Sequence, residues 1–145
     1  MEAISNMPLY AALLGGTLLA VQNILMVQVG TFRTGQGKAA GVDGNVRLER
    51  LVRRHGNLAE NAAIFVVALA LYELLAGQTA IAFWTALVFA LARAMHIAGF
   101  SSEAGSHGIG AEGGRSIFMM LRGGGAGLSA LASIVLGVAL VFAAL

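Results

Sequence analysis

The chain contains an uncharged stretch of 22 residues, PLYAALLGGTLLAVQNILMVQV, at positions 8–29. Because a helix rises about 1.5 Å per residue, about 20 residues cross a hydrocarbon core about 30 Å thick. Three more largely apolar segments of similar length follow, at about residues 58–76, 81–99 and 117–145. They are rich in Ala and Leu, which favour helix, and they lack the strict alternation of a half-buried strand. The sequence therefore predicts an all-α membrane protein, a bundle of four transmembrane helices.

The composition agrees with a membrane environment. Of the 145 residues, 58% are hydrophobic and 11% are charged, against about 45–50% and about 25% in an ordinary soluble domain. We therefore expect membrane lipid, and not water, around most of the chain. At roughly 100–200 residues per domain, residues 1–145 are most simply one domain. Cysteine is absent, so thiol chemistry requires a thiol from another molecule.

Basic residues are concentrated between the first two apolar segments. That connection holds six of the nine Lys and Arg residues: Arg33, Lys38, Arg47, Arg50, Arg53 and Arg54. The connection at residues 77–79 has no charge. The positive-inside rule therefore predicts that the first and third loops are cytoplasmic and that both termini face the opposite side. The first segment lacks a preceding basic region and is too long for a typical signal sequence, so we expect it to stay attached.

Two glycine patterns have simple structural interpretations. The spacing G-x-G-x-x-G at residues 108–113 matches a dinucleotide fingerprint. It follows a membrane helix and not a β-strand, so it indicates a flexible loop, and we expect no nucleotide or nucleic acid partner. The spacing G-x-x-x-G at residues 123–127, with Gly124 and Gly125 inside it, allows helix backbones to approach closely. We assign these glycines to helix packing.

A stripe of polar side chains marks the start of the second apolar segment. At about 100° per residue, helical geometry places four of them within an arc of about 80°: Arg50, Arg53, Asn57 and Glu60. The stripe combines guanidinium groups that suit carboxylates, a carboxylate that suits an ammonium group, and an amide that can bond a peptide group. Such a stripe suits a small zwitterionic peptide.

The basic residues of this region also have a plainer interpretation. Arg47, Arg50 and Arg54 are expected to be anchors at the membrane edge that reach towards lipid headgroups. Glu60 differs, because it lies about a turn further into the membrane and needs a cationic partner. Glu73, near the far end of the same segment, is expected to have a structural role.

Ionisable residues recur in the third segment. Arg93 and His96 are three residues apart and therefore share one helix face, with Phe100 a turn further along that face. An intramembrane histidine on its own is most often a core residue. Beside an intramembrane arginine, His96 becomes a candidate ligand contact.

The start of the fourth segment adds two more arginines. Arg115 and Arg122 are two turns apart on one face, with Ser116 beside the first. Both indicate an anionic or hydrated neighbourhood. The preceding loop contains His107, but no second histidine or carboxylate lies at ligand spacing from it, so no metal site is predicted.

These residues together resemble the membrane-associated proteins in eicosanoid and glutathione metabolism, a family that includes the microsomal glutathione transferases. The resemblance rests on the pattern E-R-x-x-R-x-H-x-N-x-x-E-N, found at residues 49–61. Arg93-x-x-His96 and Arg115-Ser116 reinforce it, and four spans, chain length and polar loops match over essentially the whole sequence. The resemblance implies a homotrimer whose glutathione sites lie between neighbouring subunits, near the cytoplasmic ends of the helices.

Matching motif positions imply roles for individual residues. Those expected to hold glutathione, as a co-substrate, are Arg33, Arg53, Asn57, Glu60, His96 and Ser116, with Glu60 meeting the α-ammonium group. Arg115 is expected to be catalytic, because it matches the arginine that stabilises the glutathione thiolate. The second substrate would be a hydrophobic small molecule that arrives from the bilayer, and no metal is implied.

Two features depart from the family pattern. Phe100 stands where tyrosine is common, and it has no hydroxyl to donate. The loop at residues 100–115 is longer and richer in glycine than in the eicosanoid enzymes.

Three functions remain open from the sequence. The first is a glutathione-dependent membrane enzyme, a transferase or peroxidase acting on a hydrophobic electrophile. The second is a non-enzymatic membrane protein whose polar stripe binds lipid headgroups or a partner. The third is a small four-helix exporter, which ranks last because the first segment has no membrane-embedded acid for proton coupling.

Overall fold

The computed structural model describes residues 7–37, 39–102 and 117–145, which contain four α-helices. These are α1 (Leu9–Gly35), α2 (Val46–Ala76), α3 (Ala80–Gly99) and α4 (Ile117–Ala144). Each is long and apolar enough to cross a membrane. α1 packs mainly on α2 and α3 mainly on α4, while further contacts of α2 join the two pairs. The predicted all-α, four-helix membrane fold is confirmed.

Two helices extend beyond the predicted spans. α1 ends at Gly35 and not near residue 29, and α2 begins at Val46 and not near residue 58. The additional turns are polar, so a criterion based on apolar length ends each segment too early. The Asn45 side chain caps the longer α2 by accepting a hydrogen bond from the Leu48 amide at 3.0 Å. At about 46 Å, α2 is about 16 Å longer than the hydrocarbon core, which leaves room for its polar turns outside it.

The helices bury a small core and leave much apolar surface outside. Phe65 of α2 stacks on Phe89 of α3 with ring centroids 3.8 Å apart. On the outer faces, Ile64 and Phe142 are 73% and 74% exposed. Apolar side chains at this exposure suit contact with lipid or with another subunit.

Glu73 is fully buried near the end of α2. Its carboxylate oxygens accept hydrogen bonds from the backbone amides of Tyr10 and Ala11, at 3.0 and 2.8 Å. These amides belong to the first turn of α1, where N–H groups have no intrahelical acceptor and the helix dipole favours negative charge. Glu73 therefore caps α1 from a neighbouring helix and does not reach out to the membrane surface.

A glycine allows α3 and α4 to approach closely. A Cβ at Gly125 would lie 2.6 Å from the Ala92 carbonyl oxygen and 2.8 Å from the His96 amide nitrogen. A Cβ at Gly123 or Gly127 would meet no described atom within 4 Å. The predicted packing role is therefore confirmed for Gly125, whereas Gly123 and Gly127 make no such contact with the described residues of this chain. Residues two positions from Gly125 are rotated by about 200°, so they point away from α3.

Candidate functional site

A cavity of about 600 Å³ opens between α2, α3 and α4 at the end of the bundle where α2 begins. We call it the α2–α4 cavity. Its lining residues are Val46, Glu49, Arg50, Arg53, Asn57, His96, Phe100, Met119, Arg122, Gly123 and Ala126. Small-molecule sites commonly have volumes of about 300–1,000 Å³. The structure thus brings three of the predicted glutathione contacts, Arg53, Asn57 and His96, into one hollow of suitable size.

The polar stripe of α2 forms one wall of the cavity. The Arg53 Nε lies 2.9 Å from the Glu49 Oε1, an ion pair between side chains one helical turn apart. The Asn57 Nδ2 donates to the Arg53 carbonyl oxygen at 2.7 Å. The terminal nitrogens of Arg53 and the amide oxygen of Asn57 therefore remain able to bond a ligand.

Among the described residues that line the cavity, cationic side chains outnumber carboxylates. Arg50, Arg53 and Arg122 line it, and the carboxylate among the described lining residues is Glu49, which Arg53 already pairs. The Arg122 guanidinium lies 5.3 Å from the centroid of the Phe100 ring, within cation–π range. The cavity is therefore suited to a ligand with more than one anionic group.

The opposite wall is formed by His96 and Phe100, both buried. Their ring centroids are 5.1 Å apart. The backbone of His96 lies against Gly125 of α4, so the helix contact fixes where the imidazole enters the cavity. Phe100 keeps the aromatic shape of the family tyrosine without its hydroxyl group.

Arg93 lies behind this wall and is only 3% exposed. Its Nε donates to the Ser129 Oγ at 2.9 Å, and its Nη2 to the Gly125 carbonyl oxygen at 3.3 Å. Its Nη1 donates to the Asn57 carbonyl oxygen at 3.4 Å. Within the described part of the chain, no carboxylate lies in ion-pair range of Arg93. Arg93 thus links three helices next to Asn57 and His96 and does not itself line the cavity.

Two other predicted site residues, Glu60 and Arg33, do not line the cavity. Glu60 is exposed about one turn beyond Asn57, and no described cation lies in ion-pair range of it. Arg33 donates to the Gly41 carbonyl oxygen at 2.7 Å and does not line the cavity. Arg115 and Ser116 lie outside the described residues.

The cavity also contains two arginines that the sequence interpretation did not assign to glutathione, Arg50 and Arg122. The sequence contained a feature that could have identified each of them. Arg50 belongs to the polar stripe, and Arg122 shares a helix face with Arg115. Among the residues described, no three His, Asp or Glu side chains are grouped so that they could hold a metal ion.

Comparison with known families agrees with this architecture. The sequence model of the MAPEG family matches residues 7–142. The matched region includes every described residue that lines the α2–α4 cavity. Searches of curated proteins and of solved structures find no significant match. The four helices and the family match together make this an integral, multi-pass membrane protein that belongs to the MAPEG family, a family that includes glutathione transferases and related enzymes.

Proposed function

We propose that the protein binds glutathione in the α2–α4 cavity and activates its thiol for attack on a hydrophobic electrophile, as a transferase or peroxidase. The observation that carries this proposal is the convergence of Arg53, Asn57 and His96 on one cavity, which the guanidinium groups of Arg50 and Arg122 also line. Glutathione has two carboxylates, one ammonium group and two peptide groups. Guanidinium groups suit the carboxylates, and the Asn57 amide suits a peptide group.

A homotrimer would complete this site. Glu60 and Arg33 both lie outside the cavity of the single chain. In a site between subunits, Glu60 would meet the α-ammonium group of glutathione and Arg33 would meet a carboxylate. An exposed carboxylate on an apolar helix is costly in lipid, so a cationic ligand would also stabilise Glu60 itself.

The chemistry requires the thiolate form of glutathione. A free thiol has a pKa near 8.5, and the thiolate is the nucleophile. A guanidinium beside the sulfur lowers that pKa, and each unit corresponds to about 1.4 kcal/mol. Arg115, with Ser116 beside it, is proposed for this role, and Arg122 adds a second cation from α4.

Two reaction types follow from such a thiolate. In a transferase reaction, the thiolate forms a carbon–sulfur bond and the electrophile either releases its leaving group or gains a proton. In a peroxidase reaction, two glutathione molecules are oxidised to the disulfide while a hydroperoxide is reduced to an alcohol and water. An apolar second substrate would reach the site from the bilayer, and a cytoplasmic first loop would place the site on the side of the cytosolic glutathione pool.

Glutathione binding tests the proposal directly. The purified protein in uncharged detergent is titrated with glutathione by calorimetry, and turnover is measured with chemically distinct electrophiles and a lipid hydroperoxide. We expect saturable binding, and turnover with at least one apolar substrate. Absence of glutathione binding would overturn the proposal and favour a non-enzymatic function for the polar stripe.

The role of Arg115 is tested separately by Arg115→Ala. We expect the ultraviolet thiolate signal of bound glutathione near neutral pH to disappear, with the helical circular dichroism retained. Lys38→Ala removes one positive charge from the first loop and should leave that signal unchanged. A thiolate signal that persists in Arg115→Ala would exclude Arg115 from the role and direct attention to Arg122.

A further inference from the structure

A second cavity, of about 500 Å³, lies between the end of α1 and the start of α2. We call it the α1–α2 cavity. Its lining residues are Gln28, Thr31, Phe32, Arg47, Arg50, Leu51, Arg54, Phe100 and Ser101. Arg50 and Phe100 also line the α2–α4 cavity, but the remaining residues differ. Helical geometry places Arg47 and Arg54 about 90° around α2 from the Arg53 face, so the two cavities occupy adjacent sides of this helix.

Arg54 is the central cation of the α1–α2 cavity. Its Nη1 donates to the Ser101 Oγ at 3.4 Å, and its Nη2 donates to the Gln28 Oε1. Its Nε is buried and has no hydrogen-bond partner. Both side chains that it contacts are neutral, so among the described residues no carboxylate compensates its charge and one donor is unused. A buried, charged donor in this state favours an anionic acceptor.

Arg47 adds a second positive charge on the same side of α2. Its guanidinium lies 5.2 Å from the centroid of the Phe32 ring of α1, which holds it beside the cavity. The described lining contains no carboxylate. An anionic ligand would offset the repulsion between Arg47 and Arg54, and guanidinium groups bond phosphate oxygens in a fork geometry. A phosphate group would therefore complement the two guanidinium groups of this cavity.

The position of the cavity favours a lipid as the source of that phosphate. It lies at the end of two membrane-length helices, where basic residues meet anionic headgroups. One turn before Gln28, on the same face of α1, Ile24 is 59% exposed. A headgroup phosphate in the cavity would therefore place its acyl chains along apolar surface of α1.

We propose that Arg47 and Arg54, together with Gln28 and Ser101, form a binding site for the phosphate group of an anionic phospholipid. The site does not depend on Arg53, Asn57 or His96, so it stands or falls independently of glutathione binding. It also differs from the anchor role expected for these arginines. An anchor contacts any headgroup nearby, whereas this cavity selects one phosphate between two helices.

The test uses the full chain in uncharged detergent and three probes. Calorimetric titrations compare dihexanoyl phosphatidic acid, dihexanoyl phosphatidylcholine and inorganic phosphate. We expect phosphatidic acid to bind at least about tenfold more tightly than the other two. Phosphatidylcholine has a less charged phosphate beside a cationic choline, and loss of one charge-assisted hydrogen bond changes affinity by about that factor. Inorganic phosphate has no acyl chains to bury along the apolar surface of α1. Arg54→Gln is expected to weaken phosphatidic acid binding about tenfold.

Arg33→Gln is the matched control, because it removes one positive charge from the same end of the bundle without changing a lining residue. It should alter phosphatidic acid binding by less than about twofold, as expected for a screened surface charge. Equal losses in Arg54→Gln and Arg33→Gln would overturn the site in favour of diffuse electrostatic attraction. Equal binding of phosphatidic acid and phosphatidylcholine would overturn it as well.

Two further measurements keep the test decisive. If Arg54→Gln does not fold, Arg47→Gln takes its place. Arg47 is exposed, so this variant is expected to fold normally and to weaken phosphatidic acid binding. If inorganic phosphate bound as tightly as phosphatidic acid, the proposal that a lipid occupies the cavity would be wrong. Glutathione titrations of the unsubstituted protein and of Arg54→Gln separate the two sites. Failure of the unsubstituted protein to bind glutathione while it still binds phosphatidic acid contradicts only the proposed function.

Discussion

At the scale of single residues, Glu60 and Glu73 show how differently one helix can use two carboxylates. Glu73 is buried and accepts two backbone hydrogen bonds from α1. Glu60 is exposed, and no described cation lies within ion-pair distance of it. The fold itself therefore supplies the hydrogen-bond donors that the Glu73 carboxylate needs. Because no described residue supplies a cation to Glu60, we expect a ligand or another subunit to provide one.

Glu60→Gln is expected to weaken glutathione binding about 10- to 100-fold, because a charge-assisted hydrogen bond contributes about 1.5–3 kcal/mol. The measurement compares glutathione with an analogue that lacks the α-amino group. Affinity for that analogue should change little, since it has no ammonium group for Glu60 to meet.

Glu49→Gln is the matched control for this prediction. Glu49 lines the α2–α4 cavity but pairs with Arg53 at 2.9 Å. Its substitution should affect glutathione and the deaminated analogue to the same extent. If Glu60→Gln also weakened both ligands equally, Glu60 would not be the residue that binds the ammonium group.

At the scale of the helices, the α3–α4 contact decides the shape of the cavity wall. Gly125 allows the two backbones to approach, and Arg93 joins α3 to Ser129 and Gly125 by hydrogen bonds. His96 lies at the same contact and also lines the cavity. A change in the distance between α3 and α4 should therefore alter both stability and ligand binding.

Gly125→Ala tests this dependence. The added Cβ would lie 2.6 Å from the Ala92 carbonyl oxygen, so the helices must move apart. We expect the free energy of unfolding to fall by about 1–3 kcal/mol, the usual result of overpacking, and glutathione affinity to fall with it. Thermal unfolding in detergent, followed by circular dichroism, measures the first effect, and calorimetry measures the second.

Gly127→Ala provides the comparison, because a Cβ there meets no described atom within 4 Å. Replacing an unconstrained helical glycine by alanine should stabilise the helix by up to about 1 kcal/mol. Equal destabilisation by both substitutions would contradict the assignment of the close contact to Gly125 and not to Gly127. A loss confined to Gly127→Ala would indicate that this face packs against another subunit.

At the scale of the whole molecule, the two ends of the bundle differ: one contains the candidate binding cavities and the other contains contacts that stabilise the fold. One end contains both basic cavities, formed around the first turns of α2. The other end contains the Glu73 cap and the short connection in which the Thr79 side chain accepts a hydrogen bond from the Ala82 amide at 3.2 Å. Asn57 and Glu73 are 16 residues apart, or about 24 Å along the helix axis. Stability at one end and binding at the other should therefore be separable.

Glu73→Gln tests this separation. The substitution removes the negative charge from the first turn of α1 and leaves one acceptor oxygen for two amides. We expect the free energy of unfolding to fall by about 1–3 kcal/mol, as for a buried donor that loses its acceptor. The dissociation constant for glutathione should change less than about twofold, because perturbations at distant sites are usually independent. A large loss of affinity in a protein that remains folded would show that the two ends are coupled.

Much of this architecture could be predicted from the order of the residues. Four spans, their helical character, the polar stripe on α2 and the family all depend on length, hydropathy and spacing along one chain. These are local properties, since a run of apolar residues must cross the bilayer as helix wherever it packs. The convergence of Arg53, Asn57 and His96 was also predicted, although through family resemblance and not through geometry.

The remaining features depend on how the helices are rotated and which of them are neighbours. Gly125, and not Gly123 or Gly127, faces α3. Glu73 caps a helix more than 60 residues away in the sequence. Arg54 meets Gln28 across a separate cavity, and Arg122 joins the wall of the first. A rotation of about 100° about one helix axis would replace each of these contacts while leaving the hydropathy pattern unchanged, because packing is a property of pairs of helices and not of any single segment.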